Sequence, residues 1–213
     1  MLKEKVETKE RVLDAAVSLF QIKGFNGTSV REIAKKAGVN VANISYYFDG
    51  KEGLLEYIVT KFFEGYIKEM DKVWRSFQNR PVRECFGQML FHVMKYQHEH
   101  REVARVIYRE LSVDTTFIRE IMSTYLTKEK YYLKMLLELG MKRKEFRHVN
   151  VSFTIMQLKG MMTMPYLHQQ YAAEVLHVLT HEEYFVTKYT SELQQWINEH
   201  ICLPCTPLQL VVK

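Results

Sequence analysis

Proline and glycine are scarce in this chain, four and nine in 213 residues. Long segments repeat their apolar residues at helical spacing, so few breakers and many helical stripes predict an almost wholly α-helical protein. The three cysteines, Cys85, Cys202 and Cys205, give no disulfide framework and fit a reducing compartment. No apolar run reaches the roughly 18 residues a membrane span needs, so no membrane partner is expected. The start, MLKEKVETKERVLDAA, has no apolar signal region, which points to a cytoplasmic protein. There is no Gly-rich phosphate loop, no nucleophile elbow and no His paired with a carboxylate in a motif. Catalysis and cofactor are therefore not expected. The net charge of +5 is compatible with a polyanionic partner but too small to argue for one.

What is present reads as a series of nine or ten helices. Residues 1–7 form a charged leader. The first helix, Thr8 to Lys23, carries Leu13, Ala16, Val17 and Phe20 as one apolar stripe and ends at Gly24. A long fourth helix is expected from Lys51 to about Gln78, with Gly65 as a point of bending, and Pro81 opens the fifth. The sixth runs to about Leu111. Asp114 or Thr115 caps the seventh, which ends at Leu139 with Gly140 as terminator. An eighth runs from Ser152 to Met164, where Pro165 stops it. Residues 166–179 are ambiguous, with a short helix around Ala172–Leu179. Thr180 and Glu183 read as a capping box for a last helix to His200.

Between the first and fourth helices lies TSVREIAKKAGVNVANISYYFDGK, residues 28–51. Ser29 and Glu32 have capping-box spacing, Gly38 closes a short helix, and Asn40 is a good N-cap for the next. The third helix, Val41 to Phe48, turns Ile44, Tyr47 and Phe48 to one side and Ala42, Ser45 and Tyr46 to the other, with Val41 and Asn43 on the flanks. A face needing only solubility would carry Lys, Glu and Gln. Small residues allow close approach to base edges, and Asn and Ser can hydrogen-bond bases or phosphates. Two short helices in this order suit a helix-turn-helix that docks in the major groove of DNA. An ordinary short bundle helix is the alternative. Residues 1–51 carry nine Lys/Arg against six Asp/Glu, a net +3, so one such module binds weakly and pairing in a dimer is required for specificity.

The stretch GFNGTSVREIAKKAGVNVANISYYFDGKEGLLEYIV resembles the TetR family of bacterial DNA-binding regulators. That resemblance implies an all-α fold: a three-helix head over 1–50, a helical dimerisation and regulatory domain over 51–200, and a tail over 201–213. It implies a homodimer on a palindromic double-stranded DNA site, acting at the nucleoid. By position it places DNA contacts on Thr28, Ser29, Arg31, Asn40, Val41, Ala42, Asn43, Ser45, Tyr46, Tyr47 and Lys51. Ser29 with the start of helix two suits a phosphate; Arg31 and Lys51 supply backbone charge. Where many relatives carry a basic or longer residue, this chain has Val41, so readout there is apolar. Further on, DTTFIREIMSTYLTKEKYY, QLKGMMTMPYLHQQY and AAEVLHVL resemble a division-linked branch of the family. That implies a protein partner, the tubulin-like division protein FtsZ, and a role at sporulation. The family's other habit, a small-molecule pocket in the second domain, stays open beside it.

Other constellations carry alternatives. Cys202-x-x-Cys205 has redox or metal spacing but stands in a tail without a second pair. Glu174, His177 and His181 are spaced i, i+3, i+7, which aligns three metal ligands only if one helix spans them; no metal is expected. His98 and His100 at a helix junction read as solvated. Met156, Met161, Met162 and Met164, with Tyr166 and Tyr171, suit either an adaptable pocket or a dimer interface or core, the latter being favoured. Arg101, Arg105 and Arg109 recur every four residues, with Arg119 beyond. They form either a solvated face balanced by Glu102 and Glu110 or a surface for an acidic protein partner.

Overall fold

The computed structural model describes residues 2–77, 80–113 and 116–204. These form nine α-helices and one π-helical turn: α1 Leu2–Lys23, α2 Val30–Ala37, α3 Val41–Phe48, α4 Gly50–Arg75, α5 Val82–Glu99, α6 Arg101–Val113, α7 Thr116–Lys142, α8 Val151–Leu167, the turn Tyr171–Val175, and α9 Glu183–His200. The expected all-α architecture is present. The charged leader is part of α1 rather than a separate segment: Lys, Glu and Val offer no stop signal, and strong helix formers carry the helix back to Leu2.

α1, α2 and α3 pack on one another through Val12, Ala16, Phe20, Ile33, Ala34 and Ile44, all buried. Phe48 and Leu54 continue that core onto α4, which runs from this group into a bundle with α5, α7 and α8. At about 25 cal/mol per Å² of apolar surface removed from water, the larger of these, Val12, Phe20, Ile33, Ile44, Phe48 and Leu54, each contribute on the order of 1.5–3 kcal/mol.

Two breakers and one expected cap act differently from their usual sequence meaning. Gly140 lies inside α7, which continues to Lys142. The Phe146 ring sits where a Cβ at 140 would stand. The glycine therefore permits close approach of a residue beyond the helix, and it terminates nothing. Pro165 lies inside α8, which reaches Leu167. A proline removes the donor for the carbonyl four residues earlier. Here that carbonyl is on Met161, and the Tyr189 hydroxyl donates to it at 2.8 Å. A hydroxyl from α9 thus replaces the missing N–H and the helix continues. Thr180 does not cap α9, which starts at Glu183 behind Glu182 with no side-chain cap. Thr180 is buried instead, its backbone beside the His98 ring.

His98 is correspondingly half-buried and not solvated as its junction position suggests. Its ring lies near-parallel to Phe185 at 6.5 Å. Burial, then the neighbouring Arg101 charge, lower its pKa from the ordinary histidine value.

The start of the tail is also ordered by pairing. Arg147 N–H donates to the Ile201 carbonyl at 2.8 Å, and Leu203 N–H to the Glu145 carbonyl at 2.8 Å. Cys202 is buried in this bridge, while Cys205 lies outside the described residues. So do Gln78 and the expected caps Asp114 and Thr115. Among the described residues no helix is long and apolar enough to cross a membrane. Among them, too, no three His, Cys, Asp or Glu side chains gather as metal ligands. The π-helical turn ends at Val175 and His177 takes a positive φ of 55°, so Glu174, His177 and His181 do not share one helix.

Candidate nucleic-acid interface

The site is built by short-range capping. Ser29 caps α2: its Oγ accepts the Glu32 N–H at 3.3 Å, and its own N–H donates to Glu32 Oε2 at 2.8 Å. Gly38 ends α2 at φ +64°, a left-handed conformation that glycine adopts at no steric cost. Asn40 starts α3, its Oδ1 accepting the Ala42 N–H at 2.9 Å. Ile44 and Phe48 are buried, which fixes the roll of α3 about its axis. The face thereby presented carries Val41, Ala42, Ser45 and Tyr46, all exposed, Tyr46 to 71%. Asn43 and Tyr47 are half-buried on its flanks. The Tyr46 and Tyr47 rings meet edge to face at 5.0 Å. These residues fall together on one exposed face of α3, as their spacing predicts.

The expected backbone clamps divide. Arg31 is exposed on α2. Thr28 is buried, its hydroxyl donating to the Gly24 carbonyl at 2.8 Å; it closes the α1–α2 loop and faces away from solvent. Lys51 also turns inward. Its Nζ donates to the Phe25 and Thr28 carbonyls, each at 2.9 Å, and lies 4.4 Å from the centre of the Phe25 ring. Ser29 donates its hydroxyl to Glu32 at 2.7 Å, so a carboxylate already occupies the start of α2. Lys23, 2.5 Å from Glu32, and the Ser29 backbone N–H hold that carboxyl down to about 2.

Lys51→Ala would take a cation away from two carbonyls of this loop. Charged hydrogen bonds of this kind contribute about 1.5–3 kcal/mol each when fully formed, so the head should lose about 2 kcal/mol in this half-exposed setting. Hydrogen exchange at residues 24–29 should quicken together with a fall in DNA affinity. If affinity falls and exchange is unchanged, Lys51 serves only a phosphate.

The arginine row is not one open face. Arg101 donates to the His98 carbonyl at 3.5 Å and Arg105 to Gln169 Oε1 at 3.3 Å; both are half-buried. Arg109 reaches the last turn of α1, donating to the Phe20 carbonyl and, at 3.0 Å, to the Gln21 carbonyl. Glu110 accepts the Phe25 N–H at 3.3 Å. Adjacent residues of α6 therefore hold the end of α1 and the loop after it. Arg119 is exposed on α7. The methionine group also splits. Met162 and Tyr166 are core, Met161 and Met164 are half-buried, and Met156 and Tyr171 are 67% and 50% exposed.

An interior polar cluster lies apart from every residue that the motifs single out. Glu129 of α7, almost fully buried, accepts from Lys159 Nζ of α8 at 2.8 Å and from the Tyr66 hydroxyl of α4. Burial, then the Glu129 charge, raise the Tyr66 pKa well above the ordinary value. Beside them the Tyr108 hydroxyl donates to the buried Gln97. The available signal was Lys159 itself, a lone charge in the apolar run of α8.

Residues 12–58 match the family described as bacterial regulatory proteins, tetR family. The chain is 48% identical over 194 residues to the probable HTH-type transcriptional regulator YttP of Bacillus subtilis, covering 91% of this chain and 94% of that protein. Its fold is similar to that of the TetR family transcriptional regulator PfmR from Thermus thermophilus, with a TM-score of 0.75 at 17% identity over 89% of this chain and 98% of that one. It is also similar to FadR from Bacillus subtilis in complex with stearoyl-CoA, with a TM-score of 0.70 at 18% identity over 88% and 96%. With the capped helix pair, its exposed α3 face and this near full-length relative, the chain belongs to the tetR family of bacterial regulatory proteins and is a TetR-type transcriptional regulator.

Proposed function

We propose that the protein is a sequence-specific homodimeric regulator that reads a palindromic DNA site with two copies of α3. The exposed Val41–Tyr46 face on a helix fixed by its caps and by buried Ile44 carries this reading. Base readout falls to Val41, Ala42 and Asn43, phosphate contact to Arg31, Ser45, Tyr46 and the Tyr47 hydroxyl. Pairing is supported by an apolar strip along α8 and the segment after it: Phe153 and Met156 are 63% and 67% exposed, with Tyr171, Val175 and Leu176 beyond. The division at residue 50 into a reading head and a 51–200 pairing domain belongs to the same proposal. Recovering and sequencing genomic DNA bound by the protein tests it. An inverted repeat with half-sites about one helical turn or more apart is expected; uniform recovery without an enriched site overturns it.

What controls binding divides two ways. The C-terminal stretches resemble the Bacillus regulator RefZ, which favours a protein partner, FtsZ, and a role in cell division at sporulation. Arg101, Arg105 and Arg119 would present the surface, with Arg109 behind them holding α1. The alternative is release of DNA by a small molecule in the 51–200 domain, as the stearoyl-CoA complex of FadR suggests by fold. Arg105→Glu separates them: a partner-controlled protein keeps DNA binding and loses its cellular effect.

A further inference from the structure

A cleft of about 380 Å³ lies where α1 meets α4 and the α5–α6 junction. That is the lower end of the range of about 300–1,000 Å³ typical of small-molecule sites. Its floor is apolar and buried: Val17 from α1, Ile58 and Phe62 from α4. One lip is acidic. Glu10 and Asp14 stand one turn apart on the exposed side of α1, and neither has a hydrogen bond or ion pair among the described residues. Like charges at i, i+4 repel and cost helix stability, a cost a bound cation would relieve. The opposite lip carries the single cation Lys61, also without a partner among the described residues, and His100, whose ring lies 4.5 Å from that of Tyr96. Counting His100 as neutral, the rim holds a net charge of −1. The Phe62 and Tyr96 rings, 5.4 Å apart, add aromatic surface that suits a hydrocarbon body.

We propose that this cleft binds a small apolar monoamine, its ammonium between Glu10 and Asp14 and its hydrocarbon on Val17, Ile58 and Phe62. The charge count selects one positive charge, and the floor selects an apolar body over a polar one. The site bridges α1, which carries the DNA-reading group, to α4 and α6. A ligand there contacts both sides of that seam, so it couples to the setting of α1, and by linkage DNA changes the affinity for the amine by the same factor. Binding itself needs no DNA and stands apart from the functional reading above.

The test is calorimetric titration of the full-length protein, free of DNA, with hexylamine and phenethylamine, alongside hexanol and hexanoate. Saturable binding of the amines is expected, at least tenfold tighter than either control. Glu10→Gln/Asp14→Asn, which alters only exposed side chains, should weaken amine binding at least tenfold; Leu13→Trp should block the cleft; and Lys61→Met should leave amine binding intact or tighten it. Absence of saturable binding by both amines at millimolar concentration overturns the proposal. So does hexanoate binding as tightly, or amine affinity unchanged in the acidic double variant.

Discussion

Lys159→Met unfolds at a temperature roughly 6–12 °C below the wild type, a loss of about 3 kcal/mol. The cause is what it leaves behind. Glu129 is 5% exposed, and Lys159 is its cationic partner, at 2.8 Å. Breaking a buried pair by removing one partner costs about 3–5 kcal/mol, because a charge remains in a poor solvent. The lower figure applies because a quarter of the Lys159 side chain still reaches water. Glu129→Gln alone should cost less. Its amide oxygen still accepts from Tyr66, and the long Lys159 stem can lift its ammonium outward. The double variant Lys159→Met/Glu129→Gln should recover most of the loss, and a double-mutant cycle by thermal or urea unfolding reads the coupling directly. If Lys159→Met and Glu129→Gln cost the same and add independently, the two residues are not a coupled pair.

The contrast between this cluster and the helix pair explains what sequence can disclose. Ser29, Glu32, Gly38 and Asn40 act within four residues of themselves, so their spacing is their mechanism, and each takes the role its pattern predicts. Gly140 and Pro165 have local meanings that distant residues override: the Phe146 ring over one, the Tyr189 hydroxyl for the other. Thr28 and Lys51 sit at positions where the family resemblance places DNA contacts. Their side chains are nonetheless drawn to the Gly24, Phe25 and Thr28 carbonyls, because the loop after α1 leaves those oxygens without helical donors. Arg109 answers the same need at Gln21 from 88 residues away, and adds a second donor to the Phe20 carbonyl, which already accepts the Gly24 N–H. A helix wheel sees only an arginine at i+4. A wheel does place Ala42, Ser45 and Tyr46 correctly, since exposure on a short helix is set by which of its own residues are apolar.

Ala42→Glu should abolish specific DNA binding and leave the fold intact. Ala42 is exposed on the α3 face, and its backbone N–H donates to Asn40 Oδ1. Glutamate is a good helix former, and an acid in the first turn of a helix is favourable, so stability should hold or rise slightly. On DNA the same carboxylate meets acceptor-rich base edges and phosphates with no donor to offer. A mismatched base contact costs about 1–3 kcal/mol. Two heads per dimer double it to about 2–6 kcal/mol, an affinity loss of roughly 30-fold to more than 10⁴-fold. Fluorescence anisotropy on the recovered duplex measures it, with thermal unfolding as the folding control. Arg31→Ala supplies the comparison: it should weaken all duplexes alike and flatten the salt dependence by about one unit of slope for each phosphate the arginine neutralises. The two variants thus separate a base-reading position from a backbone one on the same head. Undiminished affinity in Ala42→Glu would mean that α3 does not enter the groove by this face, and the paired-head reading of the protein would fall with it.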